Sequence, residues 1–166
     1  MDLILIGFMG SGKTTISQRL GQRLALPVTD LDQVIVATAG QSIATIFAEQ
    51  GEAGFRRLET QALAQQVARP GILATGGGVP TQAQNRFLLH RQPAPVVLLE
   101  IAPETAYERV KADKQRPLAK RLDLAELAAL KVTRQANYQR CADLIVDANQ
   151  SPDLIVDEIL TKYQLG

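Results

Sequence analysis

The sequence predicts an α/β chain in which helices cover both faces of a parallel sheet, and three observations carry that prediction. Short apolar runs, Leu3-Ile4-Leu5-Ile6 and Val96-Val97-Leu98-Leu99 among them, are continuous rather than alternating, as in strands buried on both faces. Between such runs lie stretches with apolar residues at helical spacing, for example Ile16, Leu20 and Leu24. The alternation continues to the end of the chain, which is the order of βαβ units on one sheet. With 166 residues the chain has the usual length of a single domain and can bury a core without staples.

Each element carries its own signals. Leu3–Ile6 is the first strand and meets a glycine-rich turn. A helix follows from Lys13 to Leu26, with Pro27 as its stop. The second strand ends at Thr29-Asp30. Helical pattern then covers Gln33–Ala39 and Ser42–Glu49, punctuated by Gly40 and Gly51, with Ser42 as an N-cap. Another helix spans Glu52–Arg69 and closes at Pro70-Gly71. Ile72-Leu73-Ala74 is the third strand and leads into Gly76-Gly77-Gly78. Gln82–Arg91 is helical, Pro95–Glu100 is the fourth strand, and Pro103 opens a helix through Val110. A long helix over Leu124–Arg140, a fifth strand over Ala142–Val146 and a helix over Pro152–Lys162 complete the chain. Right-handed crossovers fold this order into a three-layer α/β/α sandwich around a five-stranded sheet. No repeat, low-complexity tract or linker divides it, so residues 1–166 are expected to form one domain.

Composition excludes several classes. Lys and Arg number 18 against 17 Asp and Glu, a net charge of +1, so a nucleic-acid binder or a polybasic membrane protein is disfavoured. Three Tyr, four Phe and no Trp leave few platforms for stacking bases. The one cysteine, Cys141, excludes an intramolecular disulfide framework and a Cys-based zinc site, and is expected to be a small buried side chain. The sequence has no apolar run near the roughly 18 residues a membrane span needs. Its start has no basic region or cleavage signature of a signal peptide, so a cytoplasmic location is the default expectation. His90, beside Arg91 on a predicted helix, is expected at an exposed helix end rather than in catalysis.

The chemistry begins at Gly7-Phe8-Met9-Gly10-Ser11-Gly12-Lys13-Thr14, which fits G-x-x-x-x-G-K-[ST] between a strand and a helix. Glycines let backbone N–H groups turn inward on phosphate oxygens, and the helix adds its positive end. Lys13 would reach the β- and γ-phosphates and the Thr14 hydroxyl would face Mg²⁺. A nucleoside triphosphate is therefore expected here, cradled by Gly10, Ser11, Gly12, Lys13, Thr14 and Thr15. The segment from about 109 to 124 is expected to be a lid. Between 109 and 121 it holds Arg109, Lys111, Lys114, Arg116, Lys120 and Arg121 against the single acid Asp113. A closing cationic segment that excludes water suits phosphoryl transfer to an acceptor, and no guanine-reading Asn-Lys-x-Asp follows. The acceptor region is expected at about 30–60. There Asp30-Leu31-Asp32 leaves the second strand at the carboxyl edge of the sheet, where open α/β folds bind ligands. Two carboxylates on one side of a strand end can divide the work between a metal's water shell and an acceptor hydroxyl. Helix capping is the plainer alternative. Phe55-Arg56 and the triple glycine, which admits a ligand close to the backbone, complete the set.

Taken in order, these motifs resemble a family. Asp30-x-Asp32, Gly40-x-Ser42-Ile43-x-x-Ile46-Phe47, Gly51-Glu52-x-x-Phe55-Arg56-x-x-Glu59, Gly76-Gly77-Gly78, Arg116-Pro117-Leu118 and Arg134-x-x-x-Tyr138 follow the phosphate loop at the spacing of shikimate kinases, over essentially the whole chain. The resemblance implies the P-loop kinase fold of the nucleoside-monophosphate-kinase type, with sheet order 2-3-1-4-5. It also implies ATP-dependent phosphorylation of shikimate at its 3-hydroxyl, a step towards chorismate and the aromatic amino acids. By position it implies that Asp32 holds the acceptor hydroxyls and acts as base, while Asp30 serves the Mg²⁺ shell. Arg56 and Arg134 would grip the carboxylate, as planar guanidiniums can do bidentately. The backbone of Gly76, Gly77 and Gly78 would meet the ring hydroxyls, and Arg116 would stabilise the transferring phosphate. Arg109 and Pro152 would sandwich the adenine, approached by Val146-Asp147-x-Asn149. A monomer with no nucleic-acid or membrane partner is expected.

Three departures stand against the family pattern. Ile35-Val36 replaces the usual Ile-Glu, which removes an acid expected to help aim the substrate arginines. The stretch before Tyr138 lacks its usual proline, and Asn149-Gln150-Ser151-Pro152 is short. The competing readings are a catalytically idle ATP-binding relative and a kinase for another polyhydroxylated acid such as gluconate. The joint presence of Lys13, Asp32, Arg56, Arg116 and Arg134 argues against the first. Phe55-Arg56 together with the triple glycine argues against the second.

Overall fold

The computed structural model describes residues 1–112 and 122–163. Five strands form one parallel sheet, β1 (Leu3–Gly7), β2 (Val28–Asp30), β3 (Ile72–Ala74), β4 (Val96–Glu100) and β5 (Leu144–Asp147), in the order β2-β3-β1-β4-β5. This is the order the resemblance implied. The central strand β1 is buried along its whole length and pairs Leu3 with Ile72 on one side and Ile4 with Val96 on the other. A strand with no polar face cannot lie at a surface, so Leu3–Ile6 calls for an interior position in the sheet. The outer strands carry the exposed apolar residues, Val28 on β2 and Ile145 on β5.

The helices among the described residues are α1 (Lys13–Leu24), α2 (Leu31–Ala39), α3 (Ile43–Gln66), α4 (Ala83–His90), α5 (Pro103–Ala112), α6 (Leu124–Cys141) and α7 (Pro152–Tyr163). A 3₁₀ turn over Val79–Thr81, absent from the sequence expectation, follows β3. Helices α1 and α7 pack on each other, whereas α3, α4 and α6 form a contiguous group, so helices cover both faces of the sheet. Across the α1–α7 contact Arg19 pairs with Asp153 and Arg23 with Asp157.

Several boundaries differ from expectation for identifiable reasons. Helix α1 ends at Leu24, before Pro27 can act, because Ala25 turns left-handed (φ 52) and its N–H closes on the Gly21 carbonyl. Helix α2 starts at Leu31 because Asp30 caps it: Oδ1 accepts from the backbone N–H of Asp32 at 3.0 Å and of Gln33 at 3.4 Å. Asp32 therefore stands in the first turn of a helix and does not leave the strand alongside Asp30. Ser42 caps α3 as expected, accepting from Thr45 N–H at 3.1 Å. The helical run then breaks at Gly51 (φ 68, ψ −177), where the sequence predicts an interruption, and ends at Gln66 rather than Arg69. Strand β5 begins at Leu144, two residues after the expected Ala142.

Candidate active site

All the chemistry gathers at the carboxyl ends of β1, β2 and β3. The chain passes to β2 and β3 on one side of β1 and then to β4 and β5 on the other, which opens a crevice there. The loop from β1 to α1 fills the floor. Gly10 (φ 75) sits so tightly under α5 that a Cβ there would come within 2.9 Å of the Ala106 carbonyl oxygen. Only glycine serves both demands. Lys13 is 7% exposed and curls back over the loop, donating to Gly7 O at 2.8 Å, Phe8 O at 3.0 Å and Ser11 Oγ at 3.3 Å. This ring of acceptors holds a cation beside a cradle of N–H donors, which fits a polyphosphate.

Thr14 and Asp30 meet across the cleft, Oγ1 donating to Oδ2 at 3.1 Å. Asp30 thus does both jobs the sequence left open, capping α2 with one oxygen and facing the phosphate loop with the other. The described residues contain no cluster of three or more His, Cys, Asp or Glu able to hold a metal. A hydroxyl and a carboxylate on one side of a phosphate site fit Mg²⁺, which keeps several waters and takes other ligands from phosphate. These groups line a cleft of about 250 Å³ with Gly10, Gly12, Lys13, Thr15, Asp32, Thr75, Gly76, Gly77, Arg109 and Val110. Arg109 anchors its guanidinium on Gly10 O (3.2 Å) and Ala148 O (3.1 Å). With Gln150 and Pro152 it lines an adjoining groove of about 220 Å³, so the expected adenine pair faces one space. Asn149 turns elsewhere: its Oδ1 accepts from Ala102 N–H and its Nδ2 donates to Asp147.

The acceptor side is built around the glycine turn after β3. A Cβ at Gly76 would stand 2.9 Å from Asp32 Oδ1 and 3.0 Å from Glu59 Oε1, one at Gly77 would lie 3.8 Å from Arg134 Nη1, and one at Gly78 would run into the Arg56 guanidinium. Three consecutive glycines therefore let two carboxylates and two guanidiniums crowd one backbone segment. The two arginines come from α3 and α6, distant in sequence, and the structure brings them together as expected. Each also lies against a ring, Arg56 over Phe55 at 5.3 Å and Arg134 over Phe8 at 6.0 Å.

The acid missing at position 36 is not what aims Arg56. Val36 is exposed, and Arg56 Nη1 instead donates to Glu59 at 2.8 Å, with Glu52 at 3.4 Å from Nη2. Arg56 Nε is buried without a partner among the described residues, an N–H ready for a ligand's oxygen. Glu59, 1% exposed, was only a motif position in the sequence, although its i, i+3 spacing from Arg56 was the available signal. Burial raises its carboxyl above the ordinary value, against the pull of Arg56. Tyr138 also had no assigned role. Its hydroxyl donates to Gly77 O at 2.6 Å, and burial pushes its pKa to about 12. The absent proline leaves α6 continuous from Leu124 to Cys141. His90 ends α4 at the surface, and Cys141 is buried, its thiol pushed to about 11. Arg116 and most of the expected lid lie outside the described residues.

A phosphate loop at the central strand, with a carboxylate and arginine acceptor pocket across the cleft, defines a P-loop small-molecule kinase. The profile of the family described as shikimate kinase matches residues 9–164, and the chain belongs to that family. It is 48% identical over 164 residues to the shikimate kinase of Limosilactobacillus fermentum, covering 98% of this chain and 95% of that one. With the shikimate kinase of Enterococcus faecalis it shares 40% over 166 residues, covering 98% of each. Among solved structures, a shikimate kinase from Acinetobacter baumannii in complex with shikimate superposes with a TM-score of 0.89 at 34% identity, covering 98% of this chain and 92% of that one. The enzyme from Bacteroides thetaiotaomicron gives 0.90 at 28%, covering 98% of each.

Proposed function

We propose how this cleft performs the family's reaction, ATP-dependent phosphorylation of shikimate. The nucleotide lies over the phosphate loop with its adenine between Arg109 and Pro152, Asn149 supporting the loop beside it. Lys13 leaves the loop carbonyls for the β- and γ-phosphates, to which the N–H groups of Gly10–Thr15 also donate. Thr14 and Asp30 would hold Mg²⁺, which would supply charge neutralisation to the phosphates when bound. Shikimate enters with its carboxylate towards Arg56 and Arg134 and its ring against Gly76–Gly78. Asp32 accepts the proton of the 3-hydroxyl as that oxygen attacks the γ-phosphorus and the bond from phosphorus to the β,γ-bridging oxygen breaks, releasing ADP, and Arg116 stabilises the charge on the transferring group. Residues 1–166 act as one monomeric kinase domain in the cytoplasm. The acceptor region spans about 30–60, and the lid, about 109–124, closes to exclude water.

The observation that carries this reading is the convergence of Asp32, Arg56 and Arg134 on the glycine turn beside the phosphate cleft. Charge-assisted contacts there fit an anion that also bears hydroxyl groups. ADP release measured with and without shikimate tests it. Turnover should depend on shikimate and fall for its methyl ester, which has no anion for the arginines. Equal turnover of acid and ester would overturn the carboxylate assignment.

A further inference from the structure

We infer that Tyr138 is a positioning residue of the acceptor site, holding the Gly77 peptide in register with the Arg134 guanidinium. The inference rests on the reading of Arg134 as a carboxylate ligand. Tyr138 follows Arg134 by one turn of α6, is 1% exposed, and donates its hydroxyl to Gly77 O at 2.6 Å. Arg134 Nη1 lies 3.8 Å from the point a Gly77 Cβ would occupy. One helix face therefore delivers a cation to the glycine turn and an anchor to the same residue.

The neighbouring carbonyls are held from elsewhere. Thr81 Oγ1 donates to Gly78 O at 2.6 Å, and from α4 Asn85 Nδ2 donates to Val79 O at 3.1 Å and Arg86 Nη1 to Pro80 O at 2.8 Å. Gly77 is the member of this turn tied to the helix of Arg134. A glycine has no side chain to restrain its peptide, so a fixed orientation must come from a partner on the carbonyl. The face of α6 is itself set from β4: Glu100 pairs with Lys131 and accepts from Gln135 Nε2 at 2.7 Å, flanking Arg134 on both sides. With the helix so fixed, the phenol transmits its position to the turn. Burial keeps that phenol protonated, and hence a donor, throughout the neutral range, against the pull of the Arg134 and Arg56 guanidiniums and with Glu100 adding to the rise.

Tyr138→Phe removes the hydroxyl and keeps the ring. The expected result is a shikimate KM raised about tenfold, with kcat within about threefold and the ATP KM within about twofold. The preference for shikimate over its methyl ester should fall by about the same tenfold. Cys141→Ala, one turn further along α6, controls for helix packing: it should lower Tm and leave the shikimate KM within about twofold. Tyr138→difluorotyrosine keeps the shape and lowers the phenol pKa, so it should bring an alkaline rise of the shikimate KM into reach. That readout stands if the Phe variant folds poorly. An unchanged KM and preference in Tyr138→Phe, with the preference abolished in Arg134→Ala, would overturn the inference and leave the carboxylate reading intact. Equal rises for ATP and shikimate, a KM effect of Cys141→Ala as large as that of Tyr138→Phe, or a flat alkaline profile in the fluorinated protein would each overturn it. A preference intact in Arg134→Ala would overturn both readings.

Discussion

Asp30 and Asp32 show how one short motif divides its labour. Asp30 caps α2 and meets Thr14, whereas Asp32 sits in the first turn of that helix and faces the glycine turn. Asn is as good a cap as Asp, so Asp30→Asn keeps the helix start and loses the charge and the second oxygen, which accepts from Thr14 Oγ1. Asp32→Asn removes the proposed proton acceptor. We expect Asp32→Asn to lower kcat by at least about a hundredfold, in line with general-base losses. Asp30→Asn should be largely restored by excess Mg²⁺, and a Mg²⁺ titration of both variants measures the difference. If metal rescues Asp32→Asn instead, the roles are reversed. Glu59 carries a separate, pH-dependent prediction. Its buried carboxyl titrates above the ordinary value of 4.5, because desolvation outweighs the pull of Arg56, with Asp32 adding to the rise and Arg134 opposing it. Between 4.5 and that raised value the folded protein binds more protons than the unfolded chain, so stability falls as pH rises through this window. Glu59→Gln should flatten that part of the stability curve. The effect on function has the opposite sign: protonation takes the charged partner from Arg56, so the shikimate KM should rise as pH falls through the same window. Denaturant unfolding and KM measured across the window, for both proteins, test the two signs. Curves that stay parallel would show that Glu59 does not titrate there.

At the scale of the element, α3 carries the largest share of the acceptor site and is not one straight helix. Gly51 has φ 68 and ψ −177, and none of the described residues comes within 4 Å of where a Cβ would stand. Space is available, so any cost of a side chain there is backbone strain, of order 1–3 kcal/mol. Gly51→Ala should therefore lower stability by about that amount and raise the shikimate KM, because the break sets the direction in which Glu52, Arg56 and Glu59 enter the site. Unfolding free energy and KM measured together check it; unchanged values of both would mean the break is incidental. The position of this break was legible in the sequence, since a glycine interrupted an otherwise helical pattern. So were Ser42 as a cap and the buried run of β1. The early end of α1 was not, because Ala25 in a left-handed conformation goes against local preference, its N–H closing on the Gly21 carbonyl. The role of Glu59 was hidden for a similar reason. In the helix it looks like any surface acid, and it becomes buried only because the glycine turn, remote in sequence, folds over it.

On the scale of the whole molecule, the strand order 2-3-1-4-5 was not readable from periodicity, which fixes strand identity but not neighbours; the ordered motifs supplied it through family resemblance. That order brings the phosphate loop after β1, the carboxylates after β2 and the glycine turn after β3 to one edge, while α6 crosses to add Arg134. A ligand bound there touches segments from most of the chain, so its binding energy is coupled to the stability of the entire fold. A ligand that binds only the folded state at a hundred times its Kd adds about 2.7 kcal/mol. For a chain of 166 residues that corresponds to a rise in Tm of roughly 5–11 °C. Shikimate should produce such a shift in the wild-type protein. Removing either arginine leaves a desolvated carboxylate with half its partners, a loss of about 2–5 kcal/mol, or roughly 30-fold to several thousand-fold in affinity. At the same shikimate concentration the stabilisation of Arg56→Ala or Arg134→Ala should then drop below about 1 kcal/mol. Both variants should fall together, since Glu59 braces Arg56 as firmly as α6 holds Arg134. The methyl ester should shift wild type little and the variants equally little. Thermal unfolding of the three proteins with acid and ester decides the matter. An ester as stabilising as the acid would show that the arginines serve the fold rather than the anion, because a purely structural pair is indifferent to the charge of the ligand.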